Sequence, residues 1–114
     1  MSAANEMTAE LLIEIPERFP NIRIWRNNRI KAMAVGRGGK QRLVSAGVDG
    51  QADLSGILGP TGRRLEIEVK AGRDELFTAQ INFGRMIRDH GGVYLIARNV
   101  EALLSELEGI VNAK

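Results

Sequence analysis

The sequence contains no cysteine. That excludes a disulfide framework, thiolate zinc sites and a cysteine nucleophile. It fits a reducing compartment, and a cytoplasmic location is the expectation. Aromatic residues are scarce, with one Trp, one Tyr and three Phe, so the chain has little with which to stack the bases of a single strand. No apolar run approaches the ~20 residues that a membrane-spanning helix needs. Residues 1–6 lack a basic start followed by an apolar stretch, so neither a membrane role nor a secretory signal is expected. One further absence is local. From Arg23 to Arg42 no acidic residue occurs, while Arg23, Arg26, Arg29, Lys31, Arg37, Lys40 and Arg42 all fall there. Such a stretch reads either as a solvated loop or as a phosphate-binding surface.

What is present is ordinary for a globular domain: 114 residues, 44% hydrophobic, 26% charged and a formal net charge of +2. That length supports one core and one domain, residues 1–114. No repeat or low-complexity tract interrupts it. Residues 1–7 read as a frayed lead-in. Thr8 is the expected cap of a helix over Ala9 to Arg18, with Pro16 late enough to bend or stop it. Ile22 to Trp25 alternates as a half-buried strand does. Residues 27–50, rich in glycine and basic side chains, read as a long basic excursion with a short strand near Arg42 to Ser45.

Gln51 to Leu58 and Arg63 to Lys70 are strand candidates joined by the turn signal Gly59-Pro60-Thr61-Gly62. A helix follows, opened by Thr78 and running to about His90, with Ile81, Phe83, Gly84 and Ile87 inward and Gly91-Gly92 as its stop. His90 at that end suits a C-terminal cap better than a base. The apolar Val93 to Ala97 reads as a central strand. Asn99 caps a last helix that turns Leu103, Leu104, Leu107 and Val111 inward. The order αβ(β)ββαβα, with a parallel crossover to Val93, predicts an α/β fold: a mixed sheet flanked by helices.

The chemistry concentrates in Leu65-Glu66-Ile67-Glu68-Val69-Lys70. Strand alternation puts Leu65, Ile67 and Val69 on one face and Glu66, Glu68 and Lys70 on the other. Centring the hairpin turn between Pro60 and Thr61 sets residue 58 against 63, and therefore Asp53 against Glu68. Directly opposed carboxylates repel. A hard divalent cation such as Mg²⁺ or Mn²⁺ between them resolves the repulsion, because it takes oxygen ligands. Lys70, on the same face, either screens Glu68 on an ordinary surface hairpin or stands ready for an anionic substrate. Metal, carboxylates, lysine and a basic rim converge on phosphodiester hydrolysis.

These residues resemble the PD-(D/E)XK nuclease superfamily, whose pattern is an aspartate at one strand end and Glu-x-Lys on the next strand. Here that is Asp53 and then Glu68-Val69-Lys70. Five stretches, two of them around those residues, resemble its VRR-NUC branch: Trp25-Arg26-Asn27-Asn28-Arg29, Gly50 to Gly56, Ile67 to Gly72, Gln80-Ile81-Asn82-Phe83 and Gly91-Gly92-Val93-Tyr94. The resemblance implies a restriction-endonuclease-like sheet. It implies metal ligation by Asp53, Glu68 and the Val69 carbonyl, with Lys70 as the catalytic lysine. Gln80 would orient water or phosphate, or else be a plain polar residue at a helix start. A glutamate of the first helix also belongs to the family pattern. Glu10 is the favoured match, with Glu6 next, since Glu10 leaves Leu12 and Ile13 free for the core. Arg26, Asn27, Asn28, Arg29 and Lys31 would contact DNA, although Asn27-Asn28 also suits a plain turn. Trp25, ending a strand, is expected in the core.

Stand-alone VRR-NUC domains are similar to Holliday-junction resolvases, which implies a homodimer acting on branched DNA such as junctions or flaps. Two other readings stay open: a non-catalytic nucleic-acid-binding module using residues 23–42, and an α/β domain that binds no nucleic acid.

Overall fold

The computed structural model describes residues 2–28, 31–45 and 47–113, and within it the side chains of 31–34 and 43–45 are left out of the description. It is a mixed α/β structure. The elements run α1 (Ala3–Arg18), β1 (Ile22–Arg26), β2 (Lys31–Val35), β3 (Gln41–Ser45), β4 (Leu54–Leu58), β5 (Arg63–Val69), α2 (Thr78–Asp89), β6 (Val93–Ala97) and α3 (Val100–Asn112). The main sheet has the order β1-β4-β5-β6. The first three strands pair antiparallel, and β6 runs parallel to β5. No helix among the described residues is long and apolar enough to cross a membrane.

Helix α1 starts earlier than its composition suggests. Ser2 is the N-cap, its side chain accepting from the Asn5 N–H at 3.1 Å. Thr8 lies inside the helix, where its hydroxyl donates to the Ala4 carbonyl at 2.8 Å. A threonine satisfied in this way has no need of a cap position, so residues 3–7 are helical rather than frayed. Pro16 falls in the last turn, where it forgoes the one bond that a backbone N–H at that position would give to the Leu12 carbonyl, and the helix continues to Arg18. Leu11 and Ile15 are fully buried, whereas Leu12 is half-buried and Ile13 is exposed. The inward stripe is thus one residue out of phase with the expected one.

Both faces of the sheet are covered. Leu54, Leu58, Leu65, Ile67, Val69, Val93, Leu95 and Ala97 meet Leu11 and Ile15 of α1 and Leu103, Leu104 and Leu107 of α3. On the opposite face Phe83 and Ile87 of α2 pack with Ala52 and Tyr94. This explains a correction: β6 is an edge strand. Its unbroken apolar run records a helix on each face, α2 and α3, and not a place in the middle of the sheet. Two further positions turn outward, Ile81 in α2 and Val111 in α3.

The helix ends follow their local chemistry. Asn99 caps α3 by accepting from the Ala102 N–H at 2.9 Å. His90 is the C-cap of α2, its Nδ1 2.8 Å from the Met86 carbonyl. Gly91 takes φ +89° there, a conformation only glycine adopts cheaply. The first cap of α2 is Phe77, not Thr78.

The basic excursion is not one long loop. Its strands β2 and β3 pair antiparallel as a separate two-stranded sheet, Lys31 opposite Ser45 and Val35 opposite Gln41. Residues 35–42, which span the hairpin tip, are exposed.

Candidate active site

The β4–β5 hairpin sets the site. Its register pairs Leu58 with Arg63 and Leu54 with Ile67, as the turn-centred reading requires. One step beyond the ladder, Asp53 meets the segment of Glu68 and Val69. The Val69 N–H donates to Asp53 Oδ2 at 2.8 Å. The Asp53 carbonyl in turn accepts from the Asn27 N–H at 2.9 Å, which fixes the aspartate between β1 and β5.

Glu68 is 4% exposed. Its Oε1 accepts from Gln80 Nε2 at 2.9 Å and lies 3.9 Å from Lys70 Nζ. Its Oε2 is buried without a hydrogen-bond partner. Burial and then the charge of Asp53 push the Glu68 carboxyl up to about 8, against the opposing pull of Lys70. Like charges held this close favour the protonated form of Glu68. A divalent cation relieves the same repulsion at neutral pH. The donors present, two carboxylates with one orphaned oxygen, fit a hard oxygen-seeking ion.

Lys70 is buried, held by its backbone N–H to the Ala97 carbonyl at 2.9 Å. Gln80 occupies the first turn of α2. Besides holding Glu68, its Oε1 accepts from the Phe77 N–H at 2.8 Å, closing the helix start. Gly50 makes this approach possible. It has φ +75°, and a Cβ there would stand 2.1 Å from the Ala79 carbonyl oxygen. The segment leading into Asp53 therefore packs directly on the turn that bears Gln80.

The remaining expected residues are more dispersed. Glu10 and Glu6 are exposed on α1, which packs through Leu11 and Ile15 on the face away from Glu68. Among the described residues no cluster of three or more His, Cys, Asp or Glu is gathered. A third carboxylate from α1 is thus not brought to the pair. Val69 meets Asp53 through its backbone N–H.

Asn27 turns inward, its Nδ2 donating to the Ala52 carbonyl at 3.0 Å and to Ser55 Oγ at 2.6 Å. That amide ties β1 to β4, while Arg26 and Asn28 beside it are exposed. Arg26 donates to Asn5 Oδ1 at 3.1 Å. Arg29 lies outside the described residues, and of Lys31 only the strand position is described. Trp25 is 37% exposed, with the Arg64 guanidinium 5.7 Å from its ring centroid. It stands on edge strand β1, on the sheet face that α2 covers only in part, and so is not core.

Sequence reasoning missed a second polar row. Ser55 and Glu66 are register partners, Glu66 and Tyr94 are the next pair, and all three are buried. Ser55 Oγ accepts from Asn27, and Arg64 Nη2 lies 3.4 Å from Glu66 Oε1. Burial nevertheless pushes the Glu66 carboxyl upward, with Ser55 and Arg64 opposing. The Tyr94 hydroxyl is pushed up to about 12 by burial and by the charge of Glu68. Strand alternation already placed Glu66 beside Glu68. Applying the same register to Ser55 would have exposed the row.

No family model matches the chain, and no curated protein matches it.

Proposed function

We propose that the protein is a divalent-metal-dependent DNA endonuclease that hydrolyses phosphodiester bonds, with branched DNA such as four-way junctions or flaps as its substrate. One observation carries the reading: the Asp53 and Glu68 carboxyls meet at one end of the β4–β5 hairpin with the Lys70 ammonium 3.9 Å from Glu68. The resemblance of these residues to the PD-(D/E)XK pattern, and of their flanks to VRR-NUC domains, adds to it.

In this mechanism Asp53 and Glu68 would hold Mg²⁺ or Mn²⁺, with the Val69 carbonyl as a further donor. An ion bound there would supply Lewis-acid activation of a water and of the phosphate. Asp53 keeps its orientation through the Val69 N–H, and Glu68 keeps its own through Gln80. Lys70 offers positive charge where negative charge develops on the phosphate. The basic β2–β3 hairpin, with Arg37, Lys40 and Arg42 exposed, contributes phosphate contacts outside the reacting centre. Two copies of the chain would engage a branched substrate, since a domain of 114 residues covers little of a junction by itself. Sedimentation as a monomer at high concentration would remove that part of the reading.

The test is cleavage of labelled four-way junction, flap and plain duplex DNA with Mg²⁺ or Mn²⁺. EDTA and Asp53→Ala serve as controls. Metal-dependent cutting, lost in both controls while DNA binding persists, is expected. A second reading draws on the exposed basic hairpin standing outside the main sheet: a binding module without catalysis. It predicts salt-sensitive DNA binding, no cleavage of any substrate and no effect of Asp53→Ala.

A further inference from the structure

Phe77 is the most exposed of the large hydrophobic residues among those described, at 71%. It belongs to neither core cluster, since α2 packs through Phe83 and Ile87. An aromatic side chain left at the surface loses most of the burial that would justify it. Its surroundings supply another reason. The Lys70 ammonium sits 4.9 Å from the centroid of the Phe77 ring, within the range of a cation–π contact. The same ammonium lies 3.9 Å from Glu68 Oε1, too far for a hydrogen bond. Two loose, non-directional contacts therefore hold a lysine whose side chain is only 10% exposed. Its three N–H donors are spent on neither contact.

The backbone of Phe77 reaches the same centre by another route. Its N–H donates to Gln80 Oε1 at 2.8 Å, and Gln80 Nε2 donates to Glu68 Oε1 at 2.9 Å. One residue thus touches the lysine through its ring and the glutamate through Gln80.

We propose that Phe77 is a positioning residue for Lys70. Its ring walls the ammonium against Glu68, limits its hydration and leaves its donors free for a substrate phosphate oxygen. The role rests on the nuclease reading. The ring attracts a cation by its quadrupole, so an aliphatic side chain of similar bulk covers the lysine without replacing that attraction.

The experiment compares Phe77→Leu, Phe77→Ala and Phe77→Tyr in metal-supported cleavage, with proton NMR of the Lys70 side chain assigned through Lys70→Met. We expect kcat about tenfold lower in the Leu and Ala variants, KM unchanged, and recovery in Phe77→Tyr. In the wild type the Lys70 methylene protons should be shifted upfield by the ring current, and Phe77→Leu should abolish that shift. Full kcat in Phe77→Leu overturns the proposal. So does a rise in KM alone, which makes the ring a substrate contact, or an unshifted Lys70 in the wild type. A wild type that cuts no substrate with any metal overturns the nuclease reading together with this role in turnover. The NMR result then still decides whether ring and ammonium meet.

Discussion

Strand β5 shows two different solutions on its two faces. Leu65, Ile67 and Val69 point into a continuous apolar layer between the sheet and helices α1 and α3. Glu66, Glu68 and Lys70, their immediate neighbours, are almost equally buried on the other side. There the cover is the single helix α2, and oxygens of Glu66, Glu68 and Tyr94 have no hydrogen-bond partner. The first face gains free energy from removing carbon from water. The second gives some of it back by desolvating carboxyls. A buried polar group without a partner is costly and calls for a reason. On the proposed function, a cation and a phosphate substrate meeting at Glu68 and Lys70 would provide one. One face of β5 holds the domain together, and the other carries the residues to which the proposed function assigns the chemistry.

Three measurements would break or sharpen that contrast. The largest effect belongs to the apolar face. Ile67, fully buried at the sheet centre, should cost about 2–5 kcal/mol when changed to Ala, read by urea denaturation. A loss below about 1 kcal/mol would mean that the face collapses around the gap.

The second concerns pH. Because the Glu68 carboxyl is raised from 4.5 to about 8, the folded chain keeps a proton that the unfolded chain releases over that interval. Stability must then fall as pH rises from about 4.5 to 8. Glu68→Gln removes the titration and should raise the melting midpoint at pH 8 far more than at pH 4. Each kcal/mol of relief is worth roughly 4–8 °C in a domain of about this size. An equal shift at both pH values, seen by calorimetry, would show that Glu68 does not titrate in this window.

The smallest effect should come from Gln80→Ala. It breaks the links to Glu68 and to the Phe77 N–H at a half-buried position, for about 1 kcal/mol. A thermal shift as large as that of Ile67→Ala would place Gln80 among the residues that hold the fold.

Much of this architecture is legible in local pattern. Alternation in β5, the turn at residues 59–62 and the caps at Asn99 and Gly91 are short-range chemistry, and each appears where its residues put it. The opposition of Asp53 and Glu68 was legible for the same reason: a hairpin register follows from the turn that closes it. Other features depend on distant partners. The apolar run of β6 describes its cover on two faces, which does not distinguish an edge strand from a central one. Thr8 looks like a cap until its hydroxyl is seen bonded to Ala4. Asn27, read as a DNA contact or a plain turn, proves to spend its amide N–H groups on Ala52 and Ser55. Leu12 and Ile13 look like the core face of α1 until Leu11 and Ile15 prove to be the buried ones. The excursion resembles a loop in glycine content, yet the pairing of β2 with β3 makes it a ribbon.

The sequence by itself determined the α/β class, the β4–β5 hairpin with its register, and the grouping of Asp53, Glu68 and Lys70 on one face. These follow from spacing along a single stretch of chain. Only the tertiary structure decided which helix covers that face, that Gln80 and Phe77 close on Glu68 and Lys70, and that α1 packs on the other side. Those contacts join residues whose separation in sequence carries no periodic signal, and they exist only once the helices have packed on the sheet.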